Sequence, residues 1–301
     1  MPPEQQEFKV GQLVEGFRVM AELGRGARSI VYLVQDPDSK EIWALKHVEK
    51  IGPKDDRFLE QAEMECRISG DLDHPAIRKI HRLIKKKSGL LSVKELYLVM
   101  ELVDGVSIDI QPPKTFEQAV HIFYQTASAM AHMHERGYAH ADMKPNNVVV
   151  DDKGNVKIID LGQACKIGTV KPRIQGTPDY IAPEQVHLKP ITAKTDIYNL
   201  GAMMYWVLTR KFIPTALPKG DSLVSSLDPH LMPKPTPAIE LNKKIPPKLN
   251  ELIMQCVEVA SEDRPADMQV VANKLNLIHG ILLARTGLSD SKVNVDPPTD
   301  A

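Results

Sequence analysis

The hydrophobic period of the chain changes near residue 115, and that change divides it in two. From 17 to 50, in FRVMAELGRGARSIVYLVQDPDSKEIWALKHVEK, apolar and polar residues alternate around Asp36-Pro37-Asp38, the period-two pattern of antiparallel strands joined by a turn. A helical stretch is predicted from about Asp55 to Gly70, and further strands up to Met100. Beyond Thr115 the period lengthens. Phe116, Ala119, Val120, Phe123, Ala127, Met130 and Ala131 recur at helical spacing up to Gly137, behind a capping box of Thr115 and Gln118. Asp196 to Leu208 is apolar nearly all round, as in a buried helix, and residues 212–247 are proline-rich and predicted irregular. The expected class is α+β: a small antiparallel β-sheet lobe with one helix, then a larger, mainly α-helical lobe. The boundaries expected are an extension over 1–16, the small lobe over 17–100, a hinge over 101–105, the large lobe over 106–285 and a disordered tail over 286–301. The join between the lobes offers a cleft, where ligand sites are often found.

Composition narrows the ligands. A chain of 301 residues with 43% hydrophobic residues can bury a sizeable core. The formal net charge is −1 with the signs interspersed, so no nucleic acid partner is expected and any anionic ligand must be held by a local site. Lys85, Lys86 and Lys87 form one short basic run, expected in a solvated hairpin turn because Ser88-Gly89 follows it. Cys66, Cys165 and Cys256 are scattered, with neither zinc spacing nor a disulfide framework, which fits a reducing, cytoplasmic location. After Met1 the segment PPEQQEFKVGQ has no apolar signal core. The longest strongly apolar stretch, Ala202 to Leu208, falls far short of the ~18 residues of a membrane span. No membrane partner is expected.

Candidate chemistry sits at both sides of the join. In LGRGARSIVY, Gly24, Gly26 and Ser29 lie between two strand-like segments. Glycines there let backbone N–H groups approach phosphate oxygens, although a hairpin turn would use glycine in the same way. Lys46, in WALKHV, interrupts an apolar strand, and a lysine buried there needs an opposite charge. The following helix offers Glu60, Glu63 and Glu65. In the large lobe, HADMKPNNVVVDDKGNVKIIDLG (140–162) reads as a hairpin with Asp142, Lys144 and Asn147 at one open end and Asp160 at the other. Asn147 and Asp160 supply hard oxygen ligands of the kind magnesium with bound phosphates demands. Asp142 lies near enough to accept a proton from an attacking hydroxyl.

Seven segments together resemble, in order, the motifs of a eukaryotic-type protein kinase catalytic domain of the serine/threonine branch, from about residue 17 to 285. GRGARS is similar to the Gly-rich loop, WALK to the strand with the ATP-positioning lysine and HADMKPNN to the catalytic loop. DLG (160–162) stands for DFG, APE (182–184) matches directly, and DIYNLG (196–201) resembles the buried anchoring helix. Arg264 in SEDRP fits the arginine that pairs with the APE glutamate, here Glu184. The resemblance implies a two-lobe kinase fold, ATP and Mg2+ as cofactors, and transfer of the γ-phosphate to Ser/Thr hydroxyls of a protein substrate. It assigns Lys46 to the α- and β-phosphates, Asp160 to the metal, Asn147 to the second metal, Asp142 as base and Lys144 to the γ-phosphate. The family's helix glutamate lies ten residues before the proline of an HPxI turn, here His74-Pro75-Ala76-Ile77, which selects Glu65. Adenine is expected between Val31, Ala44 and Val149, with Met100 as gatekeeper and the backbones of Glu101 and Val103 at its edge.

Four departures carry expectations of their own, of which Ser29 for the third glycine of the loop is mild. Ala141 replaces the arginine of HRD, giving a non-RD loop without the cation that receives an activation-loop phosphate. Leu161 for phenylalanine is a mild apolar exchange. Ser69, four residues after Glu65, puts a hydroxyl where the family usually places an apolar side chain linking the lobes, and is expected to loosen that packing. Regulation is then expected without activation-segment phosphorylation, through lobe closure, Ser69-weakened packing or a partner on the helix bearing Glu65. The rival readings are a pseudokinase-like nucleotide-binding module, which would normally lose one of Lys46, Asp142 and Asp160, and a small-molecule phosphotransferase, which should lack APE.

Overall fold

The computed structural model describes residues 5–26, 28–88, 92–214 and 234–290. Its first part is a six-stranded antiparallel sheet formed by β1 (Leu13–Val14), β2 (Phe17–Arg25), β3 (Ser29–Gln35), β4 (Ile42–Glu49), β5 (Ile80–Ser88) and β6 (Ser92–Glu101), in the order β1-β2-β3-β4-β6-β5. Helix α1 (Asp56–Asp71) is inserted between β4 and β5.

Strand parity separates the two faces of this sheet. Leu45, Tyr97 and Val99 turn to one face with Phe8, Phe17, Ile30 and Tyr32. Ala44, Val48, Leu96, Leu98 and Met100 turn to the other and pack on Leu59 and Ala62 of α1. Lys46 shares the parity of Ala44 and Val48, so the alternation that makes β4 a strand also aims its lysine at α1. On α1 the buried residues are Leu59, Ala62, Glu65, Ile68 and Ser69, a stripe at helical spacing that carries Glu65 in its middle.

Two sequence expectations are corrected here. Residues before 17 are not outside the lobe, because β1 pairs with β2 and Phe8 is buried in the outer core. Lys85, Lys86 and Lys87 lie within β5 instead of in its turn, with Ser88 paired to Ser92. Lys85 reaches Glu63 on α1 and Lys86 reaches Glu15, so this run is strand edge held by ion pairs.

After β6 the chain runs through 102–105 into β7 (Val106–Ser107) and α2 (Phe116–Glu135). Thr115 Oγ1 accepts the Gln118 N–H, while Gln118 Oε1 accepts from Lys114 N, one residue before the partner a standard capping box would use. The segment 140–147 follows β8 (Tyr138–Ala139) and leads into the hairpin of β9 (Val148–Val150) and β10 (Val156–Ile158). Its turn is closed by Asp151, which accepts from Lys153 N and Asn155 N, with Gly154 at φ 84° in the left-handed region that favours glycine.

β11 (Cys165–Lys166) pairs with β8. The remaining helices are α3 (Pro183–Val186), α4 (Ala193–Thr209), α5 (Ala238–Leu241), α6 (Pro247–Cys256) and α7 (Met268–Asp290). One core joins α2, α4, α6 and α7 and includes Ile68 of α1 together with Leu161 and Ile158. Within the proline-rich stretch, α5 and the start of α6 are helical, and residues 215–233 lie outside the described residues. α7 continues five residues past the expected end at 285. The rest of the expected tail, 291–301, lies outside the described residues. Among the described residues, no helix is long and apolar enough to cross a membrane.

Candidate active site

The upper half of the site is built by β4 and α1. Lys46 Nζ donates to Glu65 Oε2 at 2.7 Å. Glu65 is only 1% exposed, and a buried carboxylate persists only with a counter-charge. Glu63 is instead paired with Lys85 and Glu60 is exposed, so of the three candidates Glu65 alone faces Lys46. Burial works against the Lys46 ammonium, and the charges of Glu65 and Asp160 overcome it to raise its pKa above the ordinary value.

The Gly-rich segment lies over this pair. Gly24 is opposite Val31 in the β2–β3 ladder, and Val31 is opposite Lys46 in the next. Gly26 N–H donates to the Ser29 carbonyl at 2.7 Å, and a Cβ at Gly26 would come within 2.8 Å of Ser29 Oγ, so a side chain there would have to displace the Ser29 hydroxyl. Ala44 is opposite Met100, and both share one apolar cluster with Val31. Val149 is buried on the face of β9 opposite to Val148, which belongs to the large-lobe core. Glu101 N–H is used by the Lys79 carbonyl and its carboxylate by Lys157. Val103 follows in the segment between β6 and β7.

The lower half is an arrangement of short hydrogen bonds. Asp142 Oδ1 accepts both the N–H and the hydroxyl of Thr177 at 2.8 Å. Asp142 Oδ2 lies 3.0 Å from Lys144 Nζ, which also donates to Thr177 Oγ1 at 2.9 Å. Asn147 Nδ2 donates to the Asp142 carbonyl at 2.9 Å, which leaves Asn147 Oδ1 as its available acceptor. Asp160 Oδ1 accepts Gly162 N–H at 2.9 Å. Burial would raise the Asp160 pKa, but Lys46 and that N–H hold it below the usual carboxylate value. A cavity of about 380 Å³ is lined by Ser29, Lys46, Glu65, Asp142, Lys144 and Asp160, among others.

Behind this arrangement, Ala141 has φ 61°, a left-handed conformation that costs a non-glycine residue on the order of 1 kcal/mol. It is held by Asp196 of α4, which accepts His140 N–H at 2.8 Å and Ala141 N–H at 2.7 Å, and by Gln185, which donates to the Ala141 carbonyl. The Ala141 side chain packs with Ala139, Cys165 and Ile191. Glu184 receives two hydrogen bonds from Arg264, at 2.7 and 3.0 Å.

Ser69, expected to loosen the link between the lobes, has a partner for its hydroxyl. Its hydroxyl accepts Ile80 N–H at 2.9 Å, while Ile68 and Leu161 make the apolar connection in the shared core. Asp196 and Arg78 are site residues that motif reading did not single out. Thr177, in GTPDYIAPE, resembles the serine/threonine branch from sequence, but its contact with Asp142 is not legible there, and Asp196 opens DIYNLG without an assigned role. The signal for Arg78 was a charge directly after the HPxI turn, ahead of a strand that packs inward.

A twisted antiparallel lobe over a helical lobe, with a lysine–glutamate pair facing an aspartate–asparagine–aspartate set across one cleft, defines the class of two-lobed kinase-like folds. The chain matches the protein kinase domain over residues 17–275 and belongs to that family. It is 29% identical over 285 residues to the serine/threonine-protein kinase PrkC of Bacillus subtilis, covering 89% of this chain and 42% of PrkC. Against the serine/threonine-protein kinase PknB of Mycobacterium tuberculosis it is 29% identical over 252 residues, covering 80% of this chain and 39% of that protein. The chain thus spans about two fifths of these relatives. The kinase domain of Mycobacterium tuberculosis PknI is similar in fold, with a TM-score of 0.67 at 22% identity, covering 90% of this chain and 99% of that one.

Proposed function

We propose that this chain is an ATP-dependent serine/threonine protein kinase that transfers the γ-phosphate to a protein hydroxyl. The carrying observation is that one cavity brings together the Lys46–Glu65 pair, Asp160, and Asp142 with Lys144. The donor set fits Mg-ATP: Asp160 and Asn147 Oδ1 are hard oxygen ligands, Lys46 is a cation at the phosphate end, and the glycine at 26 keeps side chains off the loop. Bound there, Mg-ATP supplies the transferable phosphoryl group with part of its charge neutralised.

The remaining chemistry belongs to the chain. Lys46 holds the phosphates and Glu65 holds Lys46. Asp142 Oδ1 is filled by the two Thr177 donors, whereas Oδ2 has one partner, Lys144. A carboxylate oxygen accepts about two hydrogen bonds, so Oδ2 is the atom that takes the proton of the substrate hydroxyl. Lys144 offsets charge developing on the transferring group, and Val31, Ala44, Met100 and Val149 form the apolar walls for adenine. The Lys144–Thr177–Asp142 triangle supports the serine/threonine branch. The three cysteines are unpaired, which supports a cytoplasmic location. A regulatory partner would act on α1, because displacing that helix separates Glu65 from Lys46.

The test is magnesium-dependent transfer from labelled ATP to the chain itself and to a generic basic protein, with Asp160→Ala as control. Transfer lost in the control is the expected result. Equal signal in both would overturn the enzyme reading, and retained nucleotide binding without any transfer would leave a pseudokinase.

A further inference from the structure

Arg78 sits where the lobes are stitched together. Its N–H donates to the Ile158 carbonyl at 3.0 Å, and Ile158 N–H donates to the Ala76 carbonyl at 2.8 Å. Residues 76–78 therefore extend the end of β10, two residues before Asp160. On the other side, Ser69 Oγ donates to the Arg78 carbonyl at 3.5 Å and accepts Ile80 N–H. With its backbone fixed from both lobes, the side chain reaches toward Glu65 of α1 and is 13% exposed. Its Nη2 lies 4.0 Å from Glu65 Oε1, while Lys46 holds Glu65 Oε2 at 2.7 Å.

The Glu65 carboxylate therefore lies between two cations. Lys46 and Arg78 balance Glu65 and Asp160, so this group of four, of which Glu65 is fully buried and the others partly, carries no net formal charge. When Lys46 turns toward nucleotide phosphates it gives up part of its hold on Glu65, and a buried carboxylate losing its only counter-charge would be pushed out toward water. A guanidinium remains charged whatever its surroundings, and Arg78 is anchored independently of Lys46. We propose that Arg78 is a second counter-ion of Glu65, a positioning residue that keeps α1 docked on the sheet while Lys46 engages nucleotide. This rests on the reading of Lys46 as a phosphate ligand.

Three variants test it, Arg78→Met, Arg78→Gln and Arg78→Lys, each followed by hydrogen–deuterium exchange over residues 56–71 with and without Mg-ADP. In the Met and Gln variants, exchange in α1 should rise about tenfold with Mg-ADP bound, with other helices unchanged. Affinity for Mg-ADP should fall about tenfold while affinity for adenosine stays the same, because only phosphate binding calls on Lys46. Arg78→Lys should restore most of both. In a Glu65→Gln background the Arg78→Met effect should vanish, since the two residues act as a unit. Unchanged α1 exchange in a folded Gln or Met variant would overturn the proposal, as would an Arg78→Met defect that persists in full without Glu65. The exchange measurement needs no turnover, so absent phosphoryl transfer would defeat the kinase reading without touching this one.

Discussion

The Thr177 hydroxyl donates to Asp142 Oδ1 at 2.8 Å, on the oxygen that already accepts the Thr177 N–H. One residue of the activation segment thus fixes the rotation of the proposed base and saturates one of its two oxygens. A hydrogen bond to a charged group is worth about 1.5–3 kcal/mol. Thr177→Val, which keeps the shape and the N–H but removes the hydroxyl, should therefore lower kcat by about 10- to 100-fold with little change in KM for ATP. Steady-state kinetics at saturating magnesium read this directly. A large rise in KM with kcat preserved would place Thr177 in ground-state binding instead.

A second expectation concerns Asp196, which is fully buried and accepts from His134 Nε2 at 2.7 Å besides the His140 and Ala141 N–H groups. Burial alone would raise its pKa, but His134 and these donors hold it below the ordinary value of 3.8. The folded value lies below the unfolded one, so the stabilisation is present above about pH 4 and is lost as pH falls through the depressed folded value. Asp196→Asn removes the charge and should cost about 3 kcal/mol at pH 7. The gap to wild type should close in acid. Denaturant titrations at pH 7, 5 and 3 measure it, and a gap that is constant with pH would contradict the assignment.

Arg264 makes a third case. It gives Glu184 two hydrogen bonds and also donates to the carbonyls of Glu258, Val259 and Lys194, over the ring of Tyr198. Removing one side of a buried pair leaves the other uncompensated, a loss of about 3–5 kcal/mol. Arg264→Ala should lower stability by that amount, and adding Glu184→Ala should recover part of it. Urea denaturation of the two single variants and the double variant checks the sign of the coupling.

How much of this could be read in the sequence depended on range. Strand alternation through 17–50 and the helical repeat after Thr115 are local, and they foretold β2 to β4 and α2 closely. Lys46 was legible as a charge in an apolar strand, whereas Glu65 was separable from Glu60 and Glu63 only through the resemblance; the α1 stripe that buries it is the physical reason. Lys85 to Lys87 misled because Ser88-Gly89 resembled the turn itself, whereas the strand continues through Ser88 and Lys85 and Lys86 are neutralised by Glu63 and Glu15 from distant elements. The partner of Ser69 was hidden for the same reason: the N–H of Ile80 that satisfies its hydroxyl is set by tertiary packing. The role of Asp196 is likewise non-local, since its partners lie 55 and 56 residues away.

The last expectation concerns activation. Where an arginine before the catalytic aspartate would need a phosphate to neutralise it, Ala141 packs with Ala139, Cys165 and Ile191 in a small apolar cluster. The segment is also tied down without a phosphate: Ile167 N–H donates to the Gly137 carbonyl, Gly168 N–H to Ile191, and Ile191 N–H to Thr169. Thr169, the one hydroxyl residue between Gly162 and Gly176, donates its Oγ1 proton to the Lys166 carbonyl at 2.7 Å. A phosphate on Thr169 would give up that bond, and the cations of its own segment, Lys166, Lys171 and Arg173, are not buried. Phosphatase-treated wild type and Thr169→Ala should therefore keep initial rates within about threefold of untreated enzyme. Ala141→Arg, by contrast, would put a guanidinium among Ala139, Cys165 and Ile191, at a cost of several kcal/mol unless a phosphate reaches it. It should be less stable and slower. A drop of more than about tenfold in Thr169→Ala, ~1.4 kcal/mol of barrier, would show that a loop phosphate is needed despite Ala141.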